Sequence, residues 1–115
     1  MISKSFILIQ IPTFFNRANV EILLWGNEEQ INHIQNKYGP FDFIIGSDLL
    51  YEPLNYHDLL KTIQNLSEQK TVTILAHPIR HLGEENFLQE AKRYFDVYRT
   101  NLILKNIHVF QLKHR

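Results

Sequence analysis

The sequence contains no cysteine among its 115 residues. That excludes disulfides, thiolate metal sites and a cysteine nucleophile, and it permits a reducing compartment, so the expected location is the cytoplasm, with the nucleus also open. Charge of one sign is lacking too. Lys plus Arg and Asp plus Glu stand at 12 each, which leaves no net field to gather nucleic acid or an anionic membrane surface, and neither is expected as a partner. Glycine is scarce, with four residues well scattered, and no P-loop, GxGxxG or GxSxG elbow is present. No apolar run reaches the roughly 20 residues that cross a bilayer. Six histidines invite a metal search, but HExxH is absent and Pro78 keeps His77 and His81 off a shared helical face, so no metal site is expected.

What is present fits one small domain. Hydrophobic residues make up 44% and charged residues 21%, values that point to a globular core and away from disorder or a fibrous class. The most hydrophobic stretch is Ser5 to Phe15. Lys4 before it gives a faint look of a signal peptide, but Gln10 and Pro12 interrupt it and Asn16-Arg17-Ala18 is a poor cleavage context, so it reads as a strand ended by Pro12. Val20 to Leu24 is a second strand, closed by Trp25-Gly26-Asn27. Spacing alone makes Trp25 a packing residue.

Glu28 to Lys37 carries Ile31, Ile34 and then Tyr38 at helical spacing, and Gly39-Pro40 stops it. Leu59, Leu60, Ile63 and Leu66 mark one face of a second helix that Asn55 can cap and that runs to about Ser67. Val72 to Ala76 reads as a short buried strand ended by His77-Pro78. Glu84 to Phe95 gives the clearest helix, with Phe87, Leu88, Ala91, Tyr94 and Phe95 on one face and acidic residues at its start. Val97 to Leu104 and Ile107 to Lys113, parted by Lys105-Asn106, predict a terminal β-hairpin. A strand, helix, strand unit followed by an antiparallel hairpin makes a mixed α/β sheet.

The chain is organised around residues 41 to 56. Phe43 to Ile45 is an apolar run of the kind that fills a strand buried on both faces of a parallel sheet. Gly46 then lets the backbone turn or approach a ligand closely, and Ser47, Asp48 and Tyr51 place polar groups just past the strand's carboxyl end, where open α/β sheets bind ligands. Spacing alone leaves a plainer reading open and favours it: a carboxylate at a helix start and a packed ring.

A resemblance alters that balance. Leu24-Trp25-Gly26, then Phe41-Asp42-Phe43-Ile44-Ile45-Gly46-Ser47-Asp48-Leu49-Leu50-Tyr51, then Thr73-Ile74-Leu75-Ala76 with Ile79-Arg80, then Asn86-Phe87-Leu88, resemble in order the second half of a methyltransferase-like protein-lysine methyltransferase. These enzymes form the "family 16" branch of the seven-β-strand, S-adenosylmethionine-dependent methyltransferases. The resemblance implies a partial Rossmann-like fold over residues 19–115, the C-terminal half of a methyltransferase domain, with residues 1–18 an unassigned apolar segment. It further implies that Trp25 flanks the cofactor's adenine, that Ser47 contacts the cofactor, and that Asp48 and Tyr51 line the rim where an acceptor lysine of a protein substrate arrives.

The departures matter as much. The glycine-rich loop after the family's first strand, the acidic residue after its second, and those two strands themselves have no counterpart. In the family sheet those two strands separate the one ending in Trp25 from the one ending in Ser47. Four expectations follow. The chain is a truncated, split or mispredicted methyltransferase whose cofactor half comes from another chain or is omitted by an incomplete gene model, or a catalytically inactive interaction module that keeps the substrate side, with a small unrelated binding domain as the reading that composition alone allows. S-adenosylmethionine should bind this chain weakly or not at all. Phe6 to Ile11 should pair beside Phe43 to Ile45 and cover its edge, and residues 1–38 should be less protected than the rest.

Overall fold

The computed structural model describes residues 4–11, 17–47, 49, 53–78, 83–101 and 107–115. Their strands make two sheets. Strands β1 (Lys4–Ile11) and β2 (Arg17–Leu24) pair antiparallel as a two-stranded sheet of their own. Strands β3 (Phe43–Ser47), β4 (Val72–Pro78), β5 (Phe95–Asn101) and β6 (Ile107–His114) form a second sheet in the order β3-β4-β6-β5. Within it β3 runs parallel to β4, and β6 runs antiparallel to both β4 and β5. This is the mixed α/β sheet ending in an antiparallel hairpin that a partial methyltransferase fold requires.

Three helices link the strands: α1 (Glu28–Tyr38), α2 (Tyr56–Leu66, led in by a 3-10 turn over Pro53–Asn55) and α3 (Glu84–Ala91). Helix α2 connects the parallel pair, as a crossover must. Asn55 occupies its N-cap without a capping side-chain bond, while Ser67 closes its far end by donating its hydroxyl to the Ile63 carbonyl at 2.6 Å. Thr71 then sets the sheet register. Its hydroxyl donates to the Phe41 carbonyl at 2.6 Å and the Val72 N–H donates to the Asp42 carbonyl at 3.0 Å, so β3 and β4 start level.

All three helices use the same face of the larger sheet. Alternation along the strands puts Ile44, Leu75, Phe110, Leu112 and Phe95 on that face. There Leu75, Phe95, Phe110 and Leu112 form one buried cluster with Leu59, Leu60 and Ile63 of α2 and Phe87, Leu88 and Ala91 of α3. A smaller cluster joins Leu23 of β2, Ile31 and Ile34 of α1 and Leu66 of α2, with Ile44 against it. Helix α1 and strand β2 are therefore tied to the rest through α2. Glu21 of β2 accepts a hydrogen bond from the Tyr38 hydroxyl at 2.7 Å, and this bond, with the Lys37 ammonium beside it, holds the Glu21 carboxyl below the usual carboxylate range.

Three expectations are corrected. The run in β3 is not buried on both faces: β3 is the edge strand, and Phe43 and Ile45 are 62% and 77% exposed on the face that carries no helix. Strand β1 does not cover that edge, because it pairs along its whole length with β2, each of its eight residues opposite one of β2. Helix α3 ends at Ala91, not at Phe95. Lys92, Arg93 and Tyr94 turn the chain so that Phe95 enters β5 and reaches the main core, and Tyr94, at helical spacing from Ala91, is left 40% exposed. Among the described residues no helix is long and apolar enough to cross a membrane.

The one-sided core makes a direct expectation for stability. Phe110→Ala, which empties a fully buried site, should cost about 3–5 kcal/mol. Phe43→Ala, on the uncovered face, should stay within about 0.5 kcal/mol. Urea unfolding of the two variants measures both, and equal costs would mean that Phe43 is covered.

Candidate active site

The parallel pair β3 and β4 fixes where a site can lie. Ser47 stands opposite Ala76 at the carboxyl end of the pair, the place where open α/β sheets take ligands. Gly46, just before it, has an ordinary negative φ and serves close packing instead of a turn. A Cβ there would come within 2.5 Å of a Leu49 methyl and 2.9 Å of a Leu75 methyl, so the missing side chain lets Leu49 fold back over the strand. Ser47 itself is exposed and, by alternation, lies on the same bare face as Phe43 and Ile45. Asp48 and Tyr51 lie outside the described residues.

Trp25 is held elsewhere, by a turn bolted to α2. Gly26 has φ +83°, a conformation that favours glycine, and its Cα presses against Asp58 so that a Cβ would sit 2.9 Å from Asp58 Oδ1. Its N–H donates to Thr62 Oγ1 at 2.8 Å, and that hydroxyl donates onward to the Asp58 carbonyl at 2.8 Å. Asn27 then starts α1 by accepting from the Gln30 N–H at 3.0 Å, while Gln30 Oε1 accepts from the Leu24 N–H at 2.6 Å. Lys61 of α2 reaches Glu28 at 2.9 Å, and its hydrogen bond and charge hold that carboxyl below the usual range. The Trp25 ring is partly buried against the helix-side core. Trp25 therefore packs against the helix-side core, while Ser47 is exposed at the end of β3.

Two features escaped the reading of the residues. His77, at the end of β4, is 2% exposed and its Nε2 lies 3.2 Å from Glu84 Oε1 at the first turn of α3. This buried pair joins the carboxyl end of a parallel strand to the next helix, and nothing in a seven-residue separation announces it. The second is an open cleft of about 440 Å³ between α2 and α3, with Tyr56, Leu60 and Phe87 as its floor and His57, Asn86 and Glu90 around it. Tyr56 and Phe87 meet edge to face, with centroids 5.8 Å apart. Helical spacing found Leu60 and Phe87 as core but not Tyr56, and which two helices meet is a tertiary fact.

Residues 5–94 match the family described as lysine methyltransferase. That range takes in β1, so the match extends into the N-terminal segment that the motifs alone left unassigned. The chain is similar to protein N-lysine methyltransferase METTL21A of Xenopus tropicalis, at 30% identity over 103 residues that cover 87% of this chain and 44% of that protein. It is 33% identical over 106 residues to the METTL21A of Mus musculus, covering 90% of this chain and 46% of the relative. For Danio rerio METTL21A the identity is 31% over 95 residues, covering 82% and 42%. The chain therefore spans less than half the length of these relatives.

Methyltransferases of this kind imply S-adenosylmethionine, and the described residues do not fit it by themselves. The Gly26 N–H is already committed to Thr62, Trp25 packs with the helices, and Ser47 is exposed at the end of β3. One ring and one hydroxyl so placed cannot replace hydrogen bonds to the ribose and the carboxylate. Calorimetry on the purified chain should accordingly detect no micromolar binding of S-adenosylmethionine. A micromolar isotherm would show that the chain builds a cofactor seat after all.

Proposed function

This chain belongs to the lysine methyltransferase family, and from that premise we propose that it is the acceptor-side half of an S-adenosylmethionine-dependent protein-lysine N-methyltransferase. The cofactor side would be contributed by another chain, and the substrate would be a protein presenting a lysine, met in the cytoplasm or the nucleus. The observation that carries the reading is the parallel pairing of β3 with β4. It sets Ser47, the last residue of β3, level with Ala76, two residues before the end of β4, and Asp48 is the next residue along.

The chemistry asked of this half is on the amine. A lysine must arrive neutral and desolvated and must give up a proton as it is alkylated. Asp48 supplies a carboxylate that can accept that proton or pass it to water, and Tyr51 a phenol that can orient the nitrogen. Trp25 and Ser47 are the residues of this chain that would meet the cofactor. A second reading, a catalytically inactive interaction module, is favoured by the packing of Trp25 against the helix-side core while Ser47 is exposed at the end of β3.

The test uses the enzyme restored by its cofactor half. Asp48→Ala and Tyr51→Phe should each lower turnover on the order of a hundredfold, as expected for loss of a group that deprotonates or orients a nucleophile. Cofactor affinity and melting temperature should stay nearly unchanged. Variants that melt early yet keep their activity per folded molecule would assign both residues to packing, and a restored protein without any transfer would favour the interaction module.

A further inference from the structure

Helices α2 and α3 begin where the parallel strands end. Strand β3 runs parallel to β4, so the chain leaves both at one end of the sheet, α2 following β3 and α3 following β4. Helix α3 leads on to Phe95, which lies across β6 from the start of β4, so it runs back along the sheet from the carboxyl end of β4. The His77–Glu84 contact at 3.2 Å ties its first turn there. The cleft between the two helices is lined by the first two turns of α2 and by α3 from its cap at Gly83 to Glu90. It therefore opens at the end of the sheet where Ser47 stands opposite Ala76. Tyr56, Leu60 and Phe87 give it an apolar floor, and its border carries the Glu90 carboxylate one turn along α3 from the Asn86 amide, with His57 on the facing helix. Among the described residues no lysine or arginine lines it. Glu90 Oε2 lies 3.3 Å from Arg93 in an exposed pair, a weak contact that a second cation can share.

We propose that this cleft is a docking subsite for the acceptor protein and takes an arginine side chain carried near its lysine. The floor matches the aliphatic stem of such a side chain, and the planar guanidinium presents a fork of donors to the Glu90 carboxylate and the Asn86 side-chain carbonyl together. Other occupants fit less well. A purely apolar anchor would desolvate the Glu90 carboxylate without pairing it, and an acidic one would meet its charge. A free small molecule would be left largely in water, because the cleft is open, whereas a side chain delivered by a protein is held by its own backbone. The place of the cleft, at the carboxyl end of the parallel pair, is the end that the acceptor lysine approaches in the reading given above. The inference rests on that reading and adds to it a determinant of substrate choice.

The experiment titrates the purified full chain with a blocked hexapeptide that holds one lysine and one arginine among glycines. Its twin carries citrulline, neutral and nearly the same shape, in place of arginine. Amide NMR should show saturable shifts at His57, Asn86 and Glu90, with a dissociation constant on the order of 1 mM for one anchored side chain. The citrulline twin should bind about fivefold more weakly, and Glu90→Gln should weaken the arginine peptide equally and erase the difference between the twins. Glu90 is exposed, so the variant should keep the parent's melting temperature. Equal binding of the twins, shifts confined to another surface, or no saturation at about 20 mM overturns the proposal. None of these readings needs a methyl donor. An enzyme restored by its cofactor half that methylates both twins with equal kcat/KM would overturn the subsite and keep the enzymatic reading. Arginine-dependent binding through Glu90, with no transfer by the restored enzyme, would keep the arginine site and retire that reading.

Discussion

An apolar β-strand inside a sheet is satisfied only when both of its faces are covered, and this structure covers one. Everything stable in the larger sheet lies between its strands and the layer of α1, α2 and α3, where Leu75, Phe95, Phe110 and Leu112 meet Leu59, Ile63, Phe87 and Ala91. Burial at about 25 cal/mol per Å² of apolar surface is the dominant favourable contribution, and here it acts from one side. The smaller cluster obeys the same rule. Leu23 brings β2 into contact with α1, Leu66 brings α1 onto α2 and Ile44 of β3 packs against the same cluster, so the N-terminal part is joined to the rest by side-chain packing without strand pairing to the larger sheet.

That arrangement explains the geometry of the candidate site. The Trp25-Gly26 turn is positioned by α2 through Thr62 and Asp58, whereas Ser47 is positioned by the pairing of β3 with β4. These two supports are separate, and no described strand pairs with both β2 and β3. A lysine methyltransferase needs donor and acceptor aligned within tenths of an ångström.

Much of this was legible in the residues. Strand and helix positions followed from apolar period and from punctuation by Gly39-Pro40, because those signals are local, whereas His77-Pro78, read as the stop after Ala76, belongs to β4 and pairs with His108 and Ile107 of β6. The order of motifs from Leu24-Trp25-Gly26 to Asn86-Phe87-Leu88 was enough to identify the family. What could not be read was non-local. Tyr94 and Phe95 continue the helical spacing of α3, and only the demand of the sheet for Phe95 ends that helix at Ala91. The choice of β2 as the partner of β1 depends on which edges are free in space. Gly46 looked like a residue for close ligand approach, but it is Leu49 and Leu75 that approach it. The His77–Glu84 contact joins a strand end to a helix start, a proximity that periodicity does not encode.

The central claim is that the described helices cover one face of the sheet and leave Phe43 and Ile45 exposed on the other. Hydroxyl-radical footprinting of the dilute, free chain reads it most directly, because oxidation follows the solvent access of each ring. The account predicts strong labelling of Phe43 and Tyr98, on the uncovered face, and protection of Phe87, Phe95 and Phe110, each 1% exposed. Protection of Phe43 equal to that of Phe110 would contradict it.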